Sequence, residues 1–101
     1  MIVCVPLFGR RVAPHFGSSS ELLFYEVHRD RVQKKERMQH SFNDPMDMAR
    51  KIAESEPDVL VCGGIQNFCK DWLALRGITV LDNQTGDARE VVARLKDAAL
   101  I

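Results

Sequence analysis

Residues 58–82, "DVLVCGGIQNFCKDWLALRGITVLD", decide the fold. The apolar run "DVLVC" ends in two glycines, a helical stretch follows, and "ITVLD" repeats the apolar run. Two such strands joined through a helix must lie parallel in one sheet with a right-handed crossover, and strands of this kind are covered on both faces. The helix is read from the spacing of Phe68, Trp72 and Leu75, with Gly77 as its stop.

The same grammar extends outward in both directions. Ahead of this unit, "NDPMDMARKIAESEP" places Asp44 as N-cap, Pro45 at the first helical position and an apolar stripe of Met48, Ala49, Ile52 and Ala53, closed by Pro57. Behind it, "DAREVVARLKDAAL" opens on a capping-box-like spacing from Asp87 to Glu90 and carries Val91, Leu95 and Ala98 or Ala99. At the start, "MIVCVP" reads as a central buried strand stopped by Pro6, and residues 6 to 20 as a loop. "LLFYEVHRDRVQKKERMQ" then reads as two strands turning at "HRDR", the second lysine-rich and suited to a sheet edge that is either free or a homodimer seam. The whole is one α/β domain over residues 1–101, with a five-stranded mixed sheet and three helices.

Composition narrows the function. Lysine plus arginine equals aspartate plus glutamate at 14 each, so no global field favours nucleic acid or an anionic membrane. No stretch is long enough to span a bilayer, and no basic region precedes the first apolar run, which points to a cytoplasmic protein. Three cysteines, Cys4, Cys62 and Cys69, are then expected as core groups, metal ligands or redox thiols rather than disulfides. No P-loop, dinucleotide fingerprint or nucleophile elbow is present, and the strand ends lack converging acids apart from Asp82, so a catalytic reading has no residues to stand on.

The topology gathers the chemistry at one rim. The loop "PHFG" (residues 14–17), the loop at 63 to 67 and the loop at 82 to 86 should share the carboxyl edge of the parallel strands, where α/β sheets bind ligands. His15 stands between the fixed φ of Pro14 and the ring of Phe16; it is either a positioned ligand or a histidine bonding a nearby carbonyl. Gly17, Gly63 and Gly64 allow close backbone approach, and Arg10 and Arg11 make the opening segment basic. Cys62 ends a strand and Cys69 falls in a first helical turn, where the helix dipole and Lys70 would lower its thiol pKa; packing beside Trp72 is the alternative. Cys4 reads as core, and His28 and His40 as solvated.

In order along the chain, "APHFGSSSELLFYEV", "PDVLVCGGI", "RGITV" and "TGDAREVVARLKDAAL" resemble the dinitrogenase iron-molybdenum cofactor biosynthesis family over essentially the whole length. The resemblance implies a ribonuclease H-like three-layer fold with strand order 3-2-1-4-5. It also implies a nitrogen-fixation-related carrier of an iron-molybdenum cofactor or another iron-, molybdenum- or copper-sulfur cluster, with His15 as a contact. Partners would be cluster-assembly or acceptor proteins. Gln66, Asn67 and Phe68 stand where members often have more glycine, while Cys62 and Cys69 add soft sulfur that would suit copper(I), zinc or iron-sulfur ligation alongside His15. Residues expected around the cluster are Arg10, Arg11, His15, Phe16, Gly17, Gly63 and Gly64. A protein-interaction or regulatory module without metal is the competing expectation.

Overall fold

The computed structural model describes residues 1–41 and 44–101. Its strands are β1 (Ile2–Phe8), β2 (Arg11–Val12), β3 (Glu21–Val27), β4 (Val32–Gln39), β5 (Val59–Val61) and β6 (Thr79–Leu81), and its helices α1 (Pro45–Glu54), α2 (Asn67–Leu75) and α3 (Ala88–Asp97). The sheet runs β4-β3-β1-β5-β6. β1 is antiparallel to β3 and parallel to β5, which is in turn parallel to β6. This is the expected mixed sheet and order, in a ribonuclease H-like arrangement, with the small strand β2 added.

Alternation along the strands divides the core in two. Val3, Val5 and Leu7 of β1, with Leu23, Tyr25 and Val27 of β3, pack under Ala88, Val91, Val92 and Leu95 of α3. Cys4, Leu22, Phe24 and Leu60 point the other way, against Met48, Ala49 and Ile52 of α1 and Leu73 of α2. Three layers follow, because each strand's two side-chain rows need their own cover. The helix starts are fixed as the sequence implies: Asp44 Oδ1 accepts from Met46 N at 2.9 Å with Pro45 at N1, and Asp87 Oδ1 accepts from Glu90 N at 3.1 Å.

Several expectations are corrected. Pro6 does not stop β1, which continues to Phe8. Pro6 O accepts from Ala13 N on the side away from β3, and a residue's N and O point to the same side of a strand, so its missing N–H costs the β3 ladder nothing. The segment expected as pure loop turns at Gly9 (φ +67°) into β2, pairing Leu7 with Val12 and Phe8 with Arg11. In α2 the buried stripe is Cys69 and Leu73, one position off the expected set: Phe68 and Leu75 are exposed at 57% and 85%. β6 is a half-exposed edge strand rather than a buried one, and Ala98 and Ala99 lie beyond α3 and are exposed.

Candidate functional site

The rim at the carboxyl ends of β1, β5 and β6 is stitched by main-chain hydrogen bonds. Phe16 N donates to Gly64 O at 2.7 Å, and Gly64 N donates to Pro14 O at 2.8 Å, so His15 and Gly64 pair as a short parallel bridge. Asn83 N donates to Gly63 O and Gln84 N to Cys62 O, each at 2.9 Å, which ties the turn after β6 to the turn after β5. Val12 N donates to Gly86 O at 2.9 Å and Ala88 N to Arg10 O at 3.0 Å, joining β2 to the entrance of α3. The three loops expected at one edge are there, as a backbone mesh.

Gly63 is what lets the mesh close. A Cβ at this position would overlap the carbonyl oxygens of both Ala13 and Pro14, so no side chain fits beneath the histidine loop. Gly17 is less confined, an added Cβ coming 3.2 Å from the side-chain Cγ of Pro45 at the start of α1. Phe16 is fully buried and anchors the loop in the core shared with α1 and α2.

Above that anchor His15 is exposed, with extended backbone (φ −125°, ψ 129°), and its side chain caps no helix. Among the described residues no intramolecular hydrogen bond partners its imidazole, so both ring nitrogens remain available. His15, Phe16, Gly17, Gly64, Ile65 and Gln66 line an open depression of about 260 Å³. The amides of Ile65 and Gln66, and of Asn67 and Phe68 at the start of α2, have no acceptor among the described residues. An imidazole beside a row of unpaired N–H groups can bind an anion, or a metal cluster whose surface is anionic.

The other expected contacts are placed elsewhere. Arg10 lines a separate depression of about 410 Å³ on the α3 side, with Leu7, Leu23, Tyr25, Lys34 and Arg89 among its walls. Arg11 is exposed and pairs across from Phe8, on the strand face opposite that of Val12. Cys62 and Cys69 are fully buried, as is Cys4. Burial, and then the neighbouring Asp82 carboxylate, push the Cys62 thiol up to about 12. Cys69 Sγ lies 3.7 Å from Met46 Sδ of α1, and burial, then Asp44, raise its pKa. The expected lowering by the helix dipole and Lys70 is thus reversed, because the thiol points into the core and Lys70 Nζ is bound to Asp82 Oδ1 at 3.0 Å. No group of three or more His, Cys, Asp or Glu side chains able to hold a metal ion occurs among the described residues.

His40 is also not the solvated residue expected from the sequence. Its Nε2 lies 3.0 Å from Ser19 Oγ, which approaches Met48 Sδ at 3.9 Å, and burial lowers its pKa. No helix among the described residues is long and apolar enough to cross a membrane.

The model of the dinitrogenase iron-molybdenum cofactor family matches residues 1–98. No curated protein matches the chain. Among solved structures, the protein PH0822 superposes with a TM-score of 0.88 at 21% identity, over 97% of this chain and 90% of that one. A protein from Thermotoga, provisionally named a NifB protein, gives 0.73 at 14% identity over 95% and 87%. The Fowlpox virus resolvase, solved with a Holliday junction, gives 0.54 at 12% over 99% and 74%. At these identities the likeness is one of fold, and the resolvase fits the ribonuclease H-like arrangement of the sheet.

Proposed function

The chain belongs to the dinitrogenase iron-molybdenum cofactor family, and from that premise we propose that it is a non-catalytic carrier of an anionic metal-sulfur cluster, received from or passed to assembly and acceptor proteins. Membership implies an association with that cofactor; the carrier role rests on the His15 rim. The single observation that carries it is an exposed imidazole with no hydrogen-bond partner among the described residues, fixed by the His15–Gly64 bridge in a depression it shares with Ile65 and Gln66, whose amides have no acceptor there. One neutral imidazole nitrogen would ligate a metal atom of the cargo, and the amides of Ile65, Gln66, Asn67 and Phe68 would donate to its sulfides. The depression is open on one side, as release of a cargo requires.

The buried thiols fit a packing role in this reading. Cys62 sits in the core cluster with Phe16 and Cys69 is buried against Met46, so reaching either means opening packed structure, and deprotonating either works against its burial. His15 is then the one side-chain ligand, and grip is weak enough for transfer. Anaerobic incubation with iron-, molybdenum- or copper-sulfide cluster, followed by desalting, metal analysis and visible absorption, tests the proposal. Wild type should retain cluster stoichiometrically and His15→Ala should lose most of it, while Cys69→Ala retains it. Equal, near-zero metal in wild type and His15→Ala would remove the carrier reading and leave the interaction module.

A further inference from the structure

The Tyr25 side chain packs into the core at 2% exposure, while its hydroxyl stays open to solvent and makes no side-chain hydrogen bond among the described residues. It lines the depression of about 410 Å³ on the α3 face, together with Arg10, Lys34, Arg37 and Arg89 and a single acid, Asp87. Asp87 is already engaged with Glu90 N as the α3 cap. Four cations stand against two carboxylates, Asp87 and the Glu21 that is paired with Arg37, so the depression keeps a local positive excess in a chain of no net charge.

A β-bulge builds the cluster. Phe24 pairs with Glu36 but Tyr25 pairs with Lys34, so Lys35 is the extra residue between them. Strict alternation would put Lys34 and Arg37, three positions apart, on opposite faces. The bulge resets the phase, and both lie beside Tyr25 and Leu23 on the α3 face. From across the cleft, Arg89 reaches over with Nη2 donating to Val32 O at 3.0 Å, and Arg37 Nε holds Glu21 Oε2 at 2.9 Å. Each of those two guanidiniums keeps further N–H donors, and Arg10 and Lys34 make no side-chain bond among the described residues. Burial raises the Tyr25 pKa, which keeps its hydroxyl a proton donor.

We propose that this pocket binds a tetrahedral oxyanion, either free or as the phosphoryl group of a small ester, with Arg10, Lys34, Arg37 and Arg89 neutralising its charge and the Tyr25 hydroxyl donating to one oxygen. The site lies on the α3 face, shares no lining residue with the His15 depression at the rim and does not depend on the cluster reading.

The test is a titration of the full chain with inorganic phosphate and, separately, adenosine 5′-monophosphate, followed by amide NMR in constant ionic strength. Saturable shifts at Tyr25, Lys34, Ala88 and Arg89, with none at His15 or Gly64, are expected for at least one probe. Tighter response to phosphate assigns the free ion, and tighter response to the nucleotide assigns the ester. In Arg10→Gln/Lys34→Gln, whose replaced side chains hold no structural bond, affinity should fall at least tenfold with an unchanged spectrum elsewhere; Tyr25→Phe should weaken binding severalfold. Linear, unsaturated shifts, or equal affinity in the double variant, overturn the proposal. So does a pocket that ignores both probes but binds a short single-stranded DNA.

Discussion

The two faces of the sheet start from the same alternating strands and end as opposite surfaces. α1 and α2 together seal one face, where Cys4, Cys62 and Cys69 lie with Phe16, Leu60 and Leu73 at no exposure. α3 alone covers the other, and the outer part of β3 and β4 is left as a cleft ringed by cations. Helix count accounts for the difference: three helices over a five-strand path cannot close both faces, and the uncovered end is where charged side chains can stay hydrated. Sulfur on the sealed side becomes neutral packing material, and charge on the open side remains available to a ligand. The His15 rim sits where the faces meet, fixed from below by the sealed core.

Truncation should expose this contrast most strongly. Leu73→Ala, fully buried between α2 and the sheet, is expected to cost about 3 kcal/mol in urea unfolding. Arg10→Gln on the open face should stay within about 0.5 kcal/mol of wild type. Similar losses for both would mean that the cleft side is as tightly packed as the sealed one.

The rim gives the next largest effect. Gly63→Ala forces a methyl against the Ala13 and Pro14 carbonyls, for an expected cost of about 2 kcal/mol and loss of the His15–Gly64 bridge. Gly9→Ala has open space around it and faces only its positive φ, so about 1 kcal/mol is expected there. Protection of the Phe16 amide against hydrogen exchange should drop in the first variant and persist in the second.

Thiol chemistry sharpens the sealed side. At pH 8 iodoacetamide should leave all three native cysteines unmodified and alkylate all three in urea. Because burial holds the Cys62 thiol up at about 12 against an ordinary 9.0, its contribution to stability is intact below pH 9 and is lost as pH rises toward 12. Rapid native modification of Cys69 would place its sulfur outside the core.

Much of this was legible in the residues. Caps at Asp44 and Asp87, the apolar runs around 3–5 and 59–61, and the "HRDR" turn follow from local rules, and from them the strand order and the shared rim. What escaped the sequence depends on long-range pairing. Pro6 is tolerated only because its N–H side faces away from β3, β2 exists only because β5 ends early beside β1, and Cys69 faces Met46 through a helix rotation of one position. The cationic cleft is the clearest case. Lys34 and Arg37 look like opposite faces of an edge strand until the bulge at Lys35 is known, and Arg10 and Arg89 meet them only through the folded sheet.

The smallest effect expected concerns His40, which joins the hairpin end to the loop of Ser19 above α1. Burial lowers its pKa from the ordinary 6.5, so the folded state favours neutral imidazole while the unfolded chain protonates at 6.5. Stability from this residue is therefore constant above pH 6.5, declines as pH falls through the folded value, and levels off below it. Carboxylates also titrate toward the acid end, so the readout is a difference: the urea midpoint of wild type should fall more between pH 7.5 and 5.0 than that of His40→Gln. Parallel curves would show that the Ser19 contact holds the charged ring as well as the neutral one, and that the join between hairpin and sealed face is wetter than its burial implies.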